Sequence, residues 1–362
     1  MTLKKEDIKN AGSGKHDDYV VLAHTDYLID VAERRSRGET EVMKRRHLPT
    51  LRAGGVDLIC DHVGGDTRMF STFPLSRLAK DTDKLGTALN GVDCMLEEAK
   101  ESNDNLMIVR TIDEAEQAKS TDKLGIILCL QGGGPIGQDL GLLRVFYRLG
   151  IRCIHLTANV RNQISDSCMD RDPGGLTQFG LEVVREMNRL GIVIDVAQLS
   201  PKGCHNVLEE STDPIIASNS NARSLCDHPR NLDDDVIKQI GEKGGVIGVH
   251  CLPALICEDK KVSLSNLIEH INYIVDLTGP EHVGIGPDLL ENWPEERYNC
   301  VWGAGQDLGG KYITFKYPTG LESIAEIPNI PVALSENGYS DKEIAGIMGG
   351  NLMRAFKAVW NS

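Results

Sequence analysis

The chain has 362 residues, of which 41% are hydrophobic and 25% charged, a composition typical of a soluble globular protein. It carries 39 basic and 53 acidic residues, a net charge of -14, which argues against a nucleic-acid or anionic-membrane partner. The polar N-terminus resembles no signal peptide, and no apolar run is long enough to span a membrane. The ten cysteines are scattered without a C-x-x-C pair, which is typical of buried, reduced thiols, so we predict a cytoplasmic protein.

Apolar, β-rich segments alternate with helical patterns along most of the chain. The predicted strands are residues 20–23, 56–60, 125–130, 153–156, 192–196, 214–217, 246–249 and 282–285. The predicted helices between them include two within residues 87–123 and one each at 141–148 and 177–190. This alternation indicates a parallel sheet, and eight almost entirely apolar strands indicate a closed barrel, since both faces of each strand are buried. We therefore predict an α/β fold, one (β/α)8 barrel domain over residues 1–362.

The last part of the chain departs from this alternation. Residues 289–325 are rich in glycine, tryptophan and tyrosine and have little periodicity, which predicts a loop or insertion over the barrel mouth. Residues 340–360 return to a helical pattern, and Ser340 stands three residues before Glu343, the spacing of a capping box.

Polar residues at the carboxyl ends of the predicted strands are candidates for the site, because active sites of such barrels lie there. The first strand ends in His24-Thr25-Asp26, and the alternate side chains of a strand point to one face. The residues at the other strand ends are Cys60, His62, Gln131, Ala158, Asn159, Gln198, Asn219, His250, Cys251 and Asp288. Only one of these is a carboxylate, so the residue types allow a site for one metal and do not make a two-metal site evident.

Several longer stretches carry a family resemblance. They are LTQFGLEVVREMNRLGIVIDVAQLS at residues 176–200, PIIASNSNARSLCDHPRNLDDDVIKQIGEKGGVIGV at 214–249, GPEHVGIGPD at 279–288, GYSDKEIAGIMGGNLMRAF at 338–356, LRAGGV near residue 52 and LGLLRVFYRLGIRCIHLT near residue 150. In these stretches, which cover nearly the whole chain in order, the sequence resembles the membrane (renal) dipeptidase family of amidohydrolase-like metallo-dipeptidases. The resemblance implies a (β/α)8 barrel with two zinc ions, and it suggests a homodimer.

The resemblance assigns roles to four retained residues. His24 and Asp26 match the family's His-x-Asp metal ligands, and Asp288 matches an aspartate that ligates metal or handles a proton. Arg230, in the stretch D-H-P-R-N, matches the arginine that holds the substrate carboxylate. The resemblance therefore implies a hydrolase with Asp288 as catalytic residue and a small carboxylate-bearing substrate, a dipeptide or a related amide or amino-acid derivative.

Four other positions depart from the family's pattern. Its bridging glutamate, two histidine ligands and a substrate-contacting histidine are replaced by Gln131, Gln198, Asn219 and Ala158 respectively. Neutral amides are weak ligands and a poor bridge between two cations. We therefore expect at most one divalent metal per chain, Zn²⁺ or another, held by His24, Asp26 and Asp288. We also expect little or no turnover of ordinary dipeptides.

Alternative interpretations stay open from the sequence. The residues predicted to hydrogen-bond the substrate are Arg230, Gln131, Gln198, Asn219 and Asn159, and the amides at 131, 198 and 219 could instead satisfy one another in place of a metal. His62 and His250 stand where the family has no ligands, which favours core histidines over relocated metal ligands. The chain could also be a metal-free lyase or isomerase with Asp288 as base, or a catalytically silent binding protein.

Overall fold

The computed structural model describes residues 19–66, 83–257, 261–289, 291 and 317–360. Nine parallel strands run through these residues, and eight of them close a barrel in the order β1-β2-β4-β5-β6-β7-β8-β9, with β9 paired to β1. The strands are β1 (Val21–Thr25), β2 (Leu58–Gly65), β3 (Leu106–Ile108), β4 (Leu124–Gln131), β5 (Ile151–His155), β6 (Val193–Asp195), β7 (Ile216–Ala217), β8 (Val246–Val249) and β9 (Val283–Ile285). The predicted (β/α)8 barrel is confirmed.

Strand β3 corrects the prediction that residues 87–123 contain only two helices. β3 pairs with the first residues of β4, and β5 pairs with the later residues of β4 along the same edge. Its three residues are too few to show a periodicity in the sequence, and they lie between two strongly helical segments. The strand therefore depends on its pairing with β4, which no local sequence pattern predicts.

Helices pack around the barrel. They are α1 (Leu28–Ser36), α2 (Leu48–Ala53), α3 (Lys84–Glu101), α4 (Ile112–Ser120), α5 (Leu140–Leu149), α6 (Gln178–Leu190), α7 (Pro201–Glu210), α8 (Asp234–Glu242), α9 (Pro253–Ile256), α10 (Leu264–Thr278), α11 (Asn329–Glu336), α12 (Asp341–Ala345) and α13 (Asn351–Val359). A π-helical turn, Met43–His47, precedes α2, and Gly346–Gly350 joins α12 to α13. Among the helices of the described ranges, none has the length and apolar character needed to cross a membrane.

Short sequence signals set the ends of several helices. The side chains of Thr111 and Thr177 accept hydrogen bonds from backbone N–H groups in the first turns of α4 and α6. Ser340 and Glu343 form the predicted capping box at the start of α12. Helix α5 ends at Gly150, whose φ of 109° is readily adopted only by glycine. These residues define where α4, α6 and α12 begin and where α5 ends.

Apolar side chains fill the barrel below its mouth. On β2, β4 and β5 the inward residues are Leu58, Cys60, Ile127, Cys129 and Cys153. Helix α13 joins the same cluster, where Phe356 stacks on Trp360 with ring centroids 5.0 Å apart. The next inward residues toward the carboxyl ends are polar, so the sequence alternation itself separates the packed interior from the mouth.

Most of the predicted insertion at residues 289–325 lies outside the described residues. Of the part that is described, Tyr317 donates a hydrogen bond to the backbone carbonyl of Asp288 at 3.5 Å, and Ile324–Glu326 forms a short 3₁₀ turn. The placement of this segment over the mouth, and the assignment of residues 1–362 to one domain, stay predictions.

Candidate functional site

The carboxyl ends of the strands gather a buried polar cluster. Its members are His24, Asp26, His62, Gln131, His155, Asp195, Ser218, Asn219, His250 and Asp288. All but Asp288 are at most 3% exposed, and the Asp288 side chain is 13% exposed. Polar groups buried this deeply need partners inside the protein or a ligand that supplies them.

An irregularity in β1 brings His24 into this cluster. The register between β1 and β2 shifts by one residue between Leu22 and Thr25. As a result Ala23 belongs to the interior apolar cluster and the next residue, His24, also faces the barrel axis. Thr25 turns away and donates a hydrogen bond to Asp61 Oδ1 at 2.7 Å. A local bulge of this kind re-aims a side chain without disturbing the rest of the sheet.

The hydrogen bonds of His24 define which of its nitrogens carries a lone pair. Its Nε2 lies 3.2 Å from the amide nitrogen of Gln131, which can only donate, so Nε2 is the acceptor. Its Nδ1 then donates to Ser218 Oγ at 3.1 Å. Burial lowers the pKa of His24 to about 3, so the ring is neutral at physiological pH.

Two carboxylates face this lone pair. Asp26 Oδ2 and Asp288 Oδ2 lie 3.7 and 3.8 Å from His24 Nε2. Neither oxygen of Asp26 has a hydrogen-bond partner among the described residues. Three electron-rich groups that converge in a buried space repel one another unless a cation or a proton lies between them. The donor set therefore fits a divalent metal ion, and the predicted trio of His24, Asp26 and Asp288 is brought together.

Two further imidazoles stand beside His24. The ring of His62 lies with its centroid 4.0 Å from that of His24, and the ring of His155 lies 5.1 Å from His24 and 4.8 Å from His62. One nitrogen from each ring can be chosen so that all three lie within 4.8 Å of one another. Burial also lowers the pKa of His62, which keeps a second ring neutral. His24 thus belongs to two candidate ligand groups.

His250 is arranged differently. The backbone N–H of Leu252 donates to His250 Nδ1 at 3.0 Å, so the proton of the neutral ring is on Nε2. That Nε2 lies 3.2 Å from Asp288 Oδ2, and Asn219 donates to the same oxygen at 3.2 Å. His250 therefore presents a proton to Asp288 and has no lone pair directed at the mouth.

The two carboxyl groups of the mouth differ in proton affinity. Burial raises the pKa of Asp26, and the neighbouring Asp288 raises it further. Burial also acts to raise the pKa of Asp288, but the facing His24 and His250 rings, when protonated, and the charge of Arg230 lower it. Asp288 is therefore held as an ionised hydrogen-bond acceptor. Groups whose environments push their pKa values apart are typical of acid–base chemistry.

Arg230 is a buried guanidinium with donors to spare. It is 3% exposed, and only its Nη1 has a contact, a long hydrogen bond of 3.4 Å to Asn159 Oδ1. Its Nε and Nη2 have no partner within the described ranges. Arg230 and Gln198 line one pocket, together with Asn231 and Asp233. Free guanidinium donors in a buried pocket fit a carboxylate ligand.

Backbone strain marks the same region. Seven non-glycine residues of the described chain have a positive φ, and three of them are the predicted site residues Asn159 (56°), Gln198 (68°) and Asp288 (51°). Residues other than glycine rarely adopt this conformation unless the surrounding structure holds them there. Strained residues of this kind are typical of binding and catalytic sites, which supports a functional role for these three side chains.

The sequence interpretation missed three members of the cluster. His155 and Asp195 are the last residues of β5 and β6, and Ser218 directly follows β7. The candidate positions lay beyond the predicted strand ends, which left out His155 and Asp195 within the strands; Ser218, directly after a strand, was overlooked. The signal was present, because His155 and Asp195 each follow an inward apolar residue, Cys153 and Val193, by two positions.

The comparisons with known proteins agree with this architecture. A family model described as membrane dipeptidase (peptidase family M19) matches residues 17–295 and 304–362. An uncharacterized dipeptidase of Schizosaccharomyces pombe is 34% identical over 232 residues, 63% of this chain and 51% of that protein. Dipeptidase 3 of Homo sapiens is 31% identical over 255 residues, 68% of this chain and 48% of that protein. The chain spans about half the length of the curated relatives it matches.

Solved structures of similar fold cover nearly the whole chain. An amidohydrolase from Pseudomonas aeruginosa matches with a TM-score of 0.81 at 22% identity, over 99% of this chain and 100% of that one. A metallo peptidase from Rhodobacter sphaeroides, solved with a phosphinate mimic of the dipeptide L-Ala-D-Ala, matches with a TM-score of 0.78 at 20% identity, over 95% and 100%. At these identities the likeness establishes the fold.

Proposed function

The chain belongs to the membrane dipeptidase family (peptidase family M19), and from this premise we propose that it is a metal-dependent hydrolase of a small carboxylate-bearing amide. The observation that carries the proposal is the lone pair of His24 Nε2 facing Asp26 and Asp288 in a buried space. A dipeptide or an N-acyl amino acid has the amide and the carboxylate that the mouth and Arg230 would accommodate.

The metal would be held at His24, with co-ligands from the carboxylates of Asp26 and Asp288 or from the neighbouring imidazoles. A divalent cation there would act as a Lewis acid on a carbonyl group and would lower the pKa of water. We propose at most one such ion per chain, because amides stand at positions 131, 198 and 219, where the family has its bridge and second-zinc ligands.

The other residues of the mouth would bind and orient the substrate. The free guanidinium donors of Arg230 would hold the substrate carboxylate, and Asn159 keeps that side chain in place. Asp288, ionised and within reach of the proton on His250, would take a proton from the attacking water and return it to the leaving amine. Gln198, which lines the Arg230 pocket, would contribute a hydrogen bond to the bound substrate.

The test is a substrate panel on protein freed of metal by chelation and then reloaded with Zn²⁺, Co²⁺ or Mn²⁺. It would contain dipeptides, N-acyl amino acids and their C-terminal amides. We expect cation-dependent hydrolysis of a free-carboxylate member, weak for ordinary dipeptides and absent for the amides. Equal turnover by the metal-free protein would contradict the proposal and favour the lyase or isomerase alternative, in which Asp288 alone serves as base. No turnover with any cation would favour a binding protein.

We further propose a cytoplasmic location and a homodimer. The nine cysteines in the described part of the chain form no disulfide with one another, which suits a reducing compartment. Fractionation of cells that express the tagged protein, and light scattering of the purified protein, test these two points independently of the activity.

A further inference from the structure

Three histidines of the mouth, His24, His62 and His155, have their rings close together, and the contacts of each ring indicate which nitrogen carries its lone pair. His62 Nδ1 donates to the backbone carbonyl of Thr25 at 3.0 Å, so its lone pair is on Nε2. His155 Nε2 lies 2.7 Å from Asp195 Oδ2 and 2.9 Å from Ser218 Oγ, so its lone pair is on Nδ1. That Nδ1 is fully buried and has no hydrogen-bond partner among the described residues. The lone pair of His24 is on Nε2, as its contacts with Gln131 and Ser218 require.

We propose that His24, His62 and His155 together bind one divalent transition-metal ion. The inference rests on the proposed function and names the ligand set of that site. His24 has a single lone pair, so the three-histidine group competes with the group of His24, Asp26 and Asp288 for the ion. A cation on His24 Nε2 would displace the amide hydrogen of Gln131, and a half-turn of that amide would present its oxygen instead.

The contacts of Asp288 favour the imidazoles over the carboxylate group. Asp288 Oδ2, the oxygen that lies 3.8 Å from His24 Nε2, accepts a hydrogen bond from Asn219 Nδ2 at 3.2 Å and lies 3.2 Å from His250 Nε2. His155 Nδ1 is buried and, like both oxygens of Asp26, has no hydrogen-bond partner among the described residues. Metal binding at the histidines would satisfy this nitrogen and leave Asp288 ionised for proton transfer.

The outer contacts of the rings resemble those of metal-binding histidines. In such sites the ring nitrogen that does not bind metal usually donates to a carboxylate, a carbonyl or water, which fixes the tautomer. Here the carbonyl of Thr25 accepts from His62, Asp195 Oδ2 lies 2.7 Å from His155 Nε2, and the hydroxyl of Ser218 contacts both His155 and His24. Asp195 is itself fixed by the backbone N–H groups of residues 197 and 218, at 2.9 and 3.1 Å.

The ligand chemistry indicates the class of metal. Neutral imidazoles suit Zn²⁺, Co²⁺ or Ni²⁺, whereas Mg²⁺ and Ca²⁺ prefer oxygen ligands. Three histidines with an open fourth position form a common catalytic zinc site. Nitrogens on one tetrahedral zinc are about 3.3 Å apart, and one nitrogen from each ring can be chosen so that the three lie within 4.8 Å of one another. Metal binding would therefore require these side chains to move closer together.

The sequence shows a matching exchange of ligands. Relative to the family pattern, imidazoles are missing at Gln198 and Asn219, and the bridging carboxylate is missing at Gln131. The structure places imidazoles at His62 and His155, positions to which the resemblance assigned no ligand. Two imidazoles are thus absent at positions 198 and 219 and two are present at positions 62 and 155, which would give one nitrogen-rich site in place of the two-metal arrangement.

The first experiment measures the ligands in the unaltered protein. The full chain is freed of metal, loaded with one equivalent of Zn²⁺ or Co²⁺, and studied by X-ray absorption at the metal edge and, for Co²⁺, by visible absorption. We expect three imidazole nitrogens and the strong visible bands of four- or five-coordinate Co²⁺. One imidazole with a shell of oxygens would overturn the inference, and this measurement needs no variant to fold.

The second experiment compares variants by Co²⁺ titration, with thermal melts to confirm folding. His62→Gln and His155→Gln should weaken Co²⁺ binding at least about 100-fold, and Asp195→Asn about 10–100-fold, the usual effect of removing an outer partner. His250→Gln is the matched control, a buried histidine of the same mouth outside the group, and it should change the affinity less than threefold. A loss in Asp26→Asn and Asp288→Asn as large as in the histidine variants would overturn the inference.

The outcomes separate this inference from the proposed function. Binding that depends on His62 and His155, without hydrolysis of any panel member, would uphold the metal site and contradict the hydrolase. Cation-dependent hydrolysis that survives His62→Gln and His155→Gln would uphold the hydrolase and contradict the three-histidine site. A parent protein that binds none of Zn²⁺, Co²⁺ and Mn²⁺ would contradict both.

Discussion

Asp26 and Asp288 show how one residue type takes two roles in the same mouth. Asp288 accepts hydrogen bonds at 3.2 Å from Asn219 and lies 3.2 Å from the protonated nitrogen of His250, so its negative charge is stabilised. Asp26, fully enclosed, has no such donor in the described residues, and burial raises its pKa. The pair is therefore asymmetric, with the negative charge favoured on Asp288, so Asp288 is the carboxylate available in its deprotonated form.

Replacement of this base should abolish most of the activity. Asp288→Asn keeps the shape of the side chain but cannot accept a proton, and we expect kcat on the best panel substrate to fall about 10²–10⁴-fold. Metal content should be retained, since the inferred ligands are histidines. Asp227→Asn, at a side chain 93% exposed, is the control and should match the parent. An Asp288→Asn enzyme of nearly parental kcat would place the chemistry elsewhere.

The second residue-level prediction concerns substrate binding. Arg230→Lys retains the positive charge but loses the planar pair of donors that a carboxylate matches. We expect KM to rise about 10–100-fold while kcat changes less than about threefold, because the contact exists in both the ground state and the transition state. The C-terminal amide of the same substrate, which lacks the carboxylate, should be hydrolysed by neither protein. A fall in kcat at unchanged KM would mean that Arg230 acts on the reacting atoms.

At the level of elements, α3 packs on β2 through a glycine. A Cβ at Gly91 would lie 1.8 Å from the backbone carbonyl oxygen of Val63, so the helix and the strand could not keep their approach. Helix propensity alone predicts that Gly91→Ala stabilises α3 by up to about 1 kcal/mol. We expect the opposite sign, a loss of about 1–3 kcal/mol in the free energy of unfolding by urea. Asn90→Ala, on the exposed side of α3, should change it by less than about 0.5 kcal/mol.

Helix α1 is tied to the π-helical turn by a buried carboxylate. Asp30 contacts His47 Nε2 at 3.0 Å, Arg46 Nε at 2.9 Å and Arg34 Nε at 3.0 Å. Burial acts to raise the pKa of Asp30, but the hydrogen bond from His47 and the charges of the two arginines lower it to about 2. The folded pKa lies below the unfolded value of about 3.9. The stabilisation is therefore complete above about pH 4 and is lost as the pH falls toward 2.

This linkage gives a pH-dependent prediction for one substitution. Asp30→Asn should lower the free energy of unfolding by about 1–2 kcal/mol at pH 7, and the difference from the parent should shrink between pH 4 and pH 2. Urea titrations of both proteins across this range measure it. Glu39→Gln removes an exposed partner of Arg34 and should cost no more than about 1 kcal/mol at any pH. A difference that stays constant down to pH 2 would exclude the ionised Asp30 as its source.

At the scale of the whole molecule, the barrel could be predicted because its determinants are local. Regularly spaced apolar strands allow each βα unit to be recognised in the sequence. The capping box of Ser340 and Glu343 predicts the start of α12. The site was harder to predict, because the direction of a side chain depends on strand register. One extra residue in β1 turns His24 inward, and nothing in VLAHT specifies where that shift falls. His155 looks like a core residue until β5 and β6 place it beside Asp195.

The two ends of the barrel differ in the polarity of the residues that they bury. The amino-terminal end is sealed by α13, where Phe356 is fully buried in the apolar interior, whereas the polar cluster occupies the other end. In such barrels the mouth carries the chemistry and the opposite end carries stability. Phe356→Ala should therefore lower the free energy of unfolding by about 3–5 kcal/mol, and Lys357→Ala, at an exposed position of α13, by less than about 0.5 kcal/mol. Both variants, where folded, should bind Co²⁺ within threefold of the parent. A Phe356→Ala protein that stays folded but loses metal affinity would show that the mouth depends on packing at the far end of the barrel.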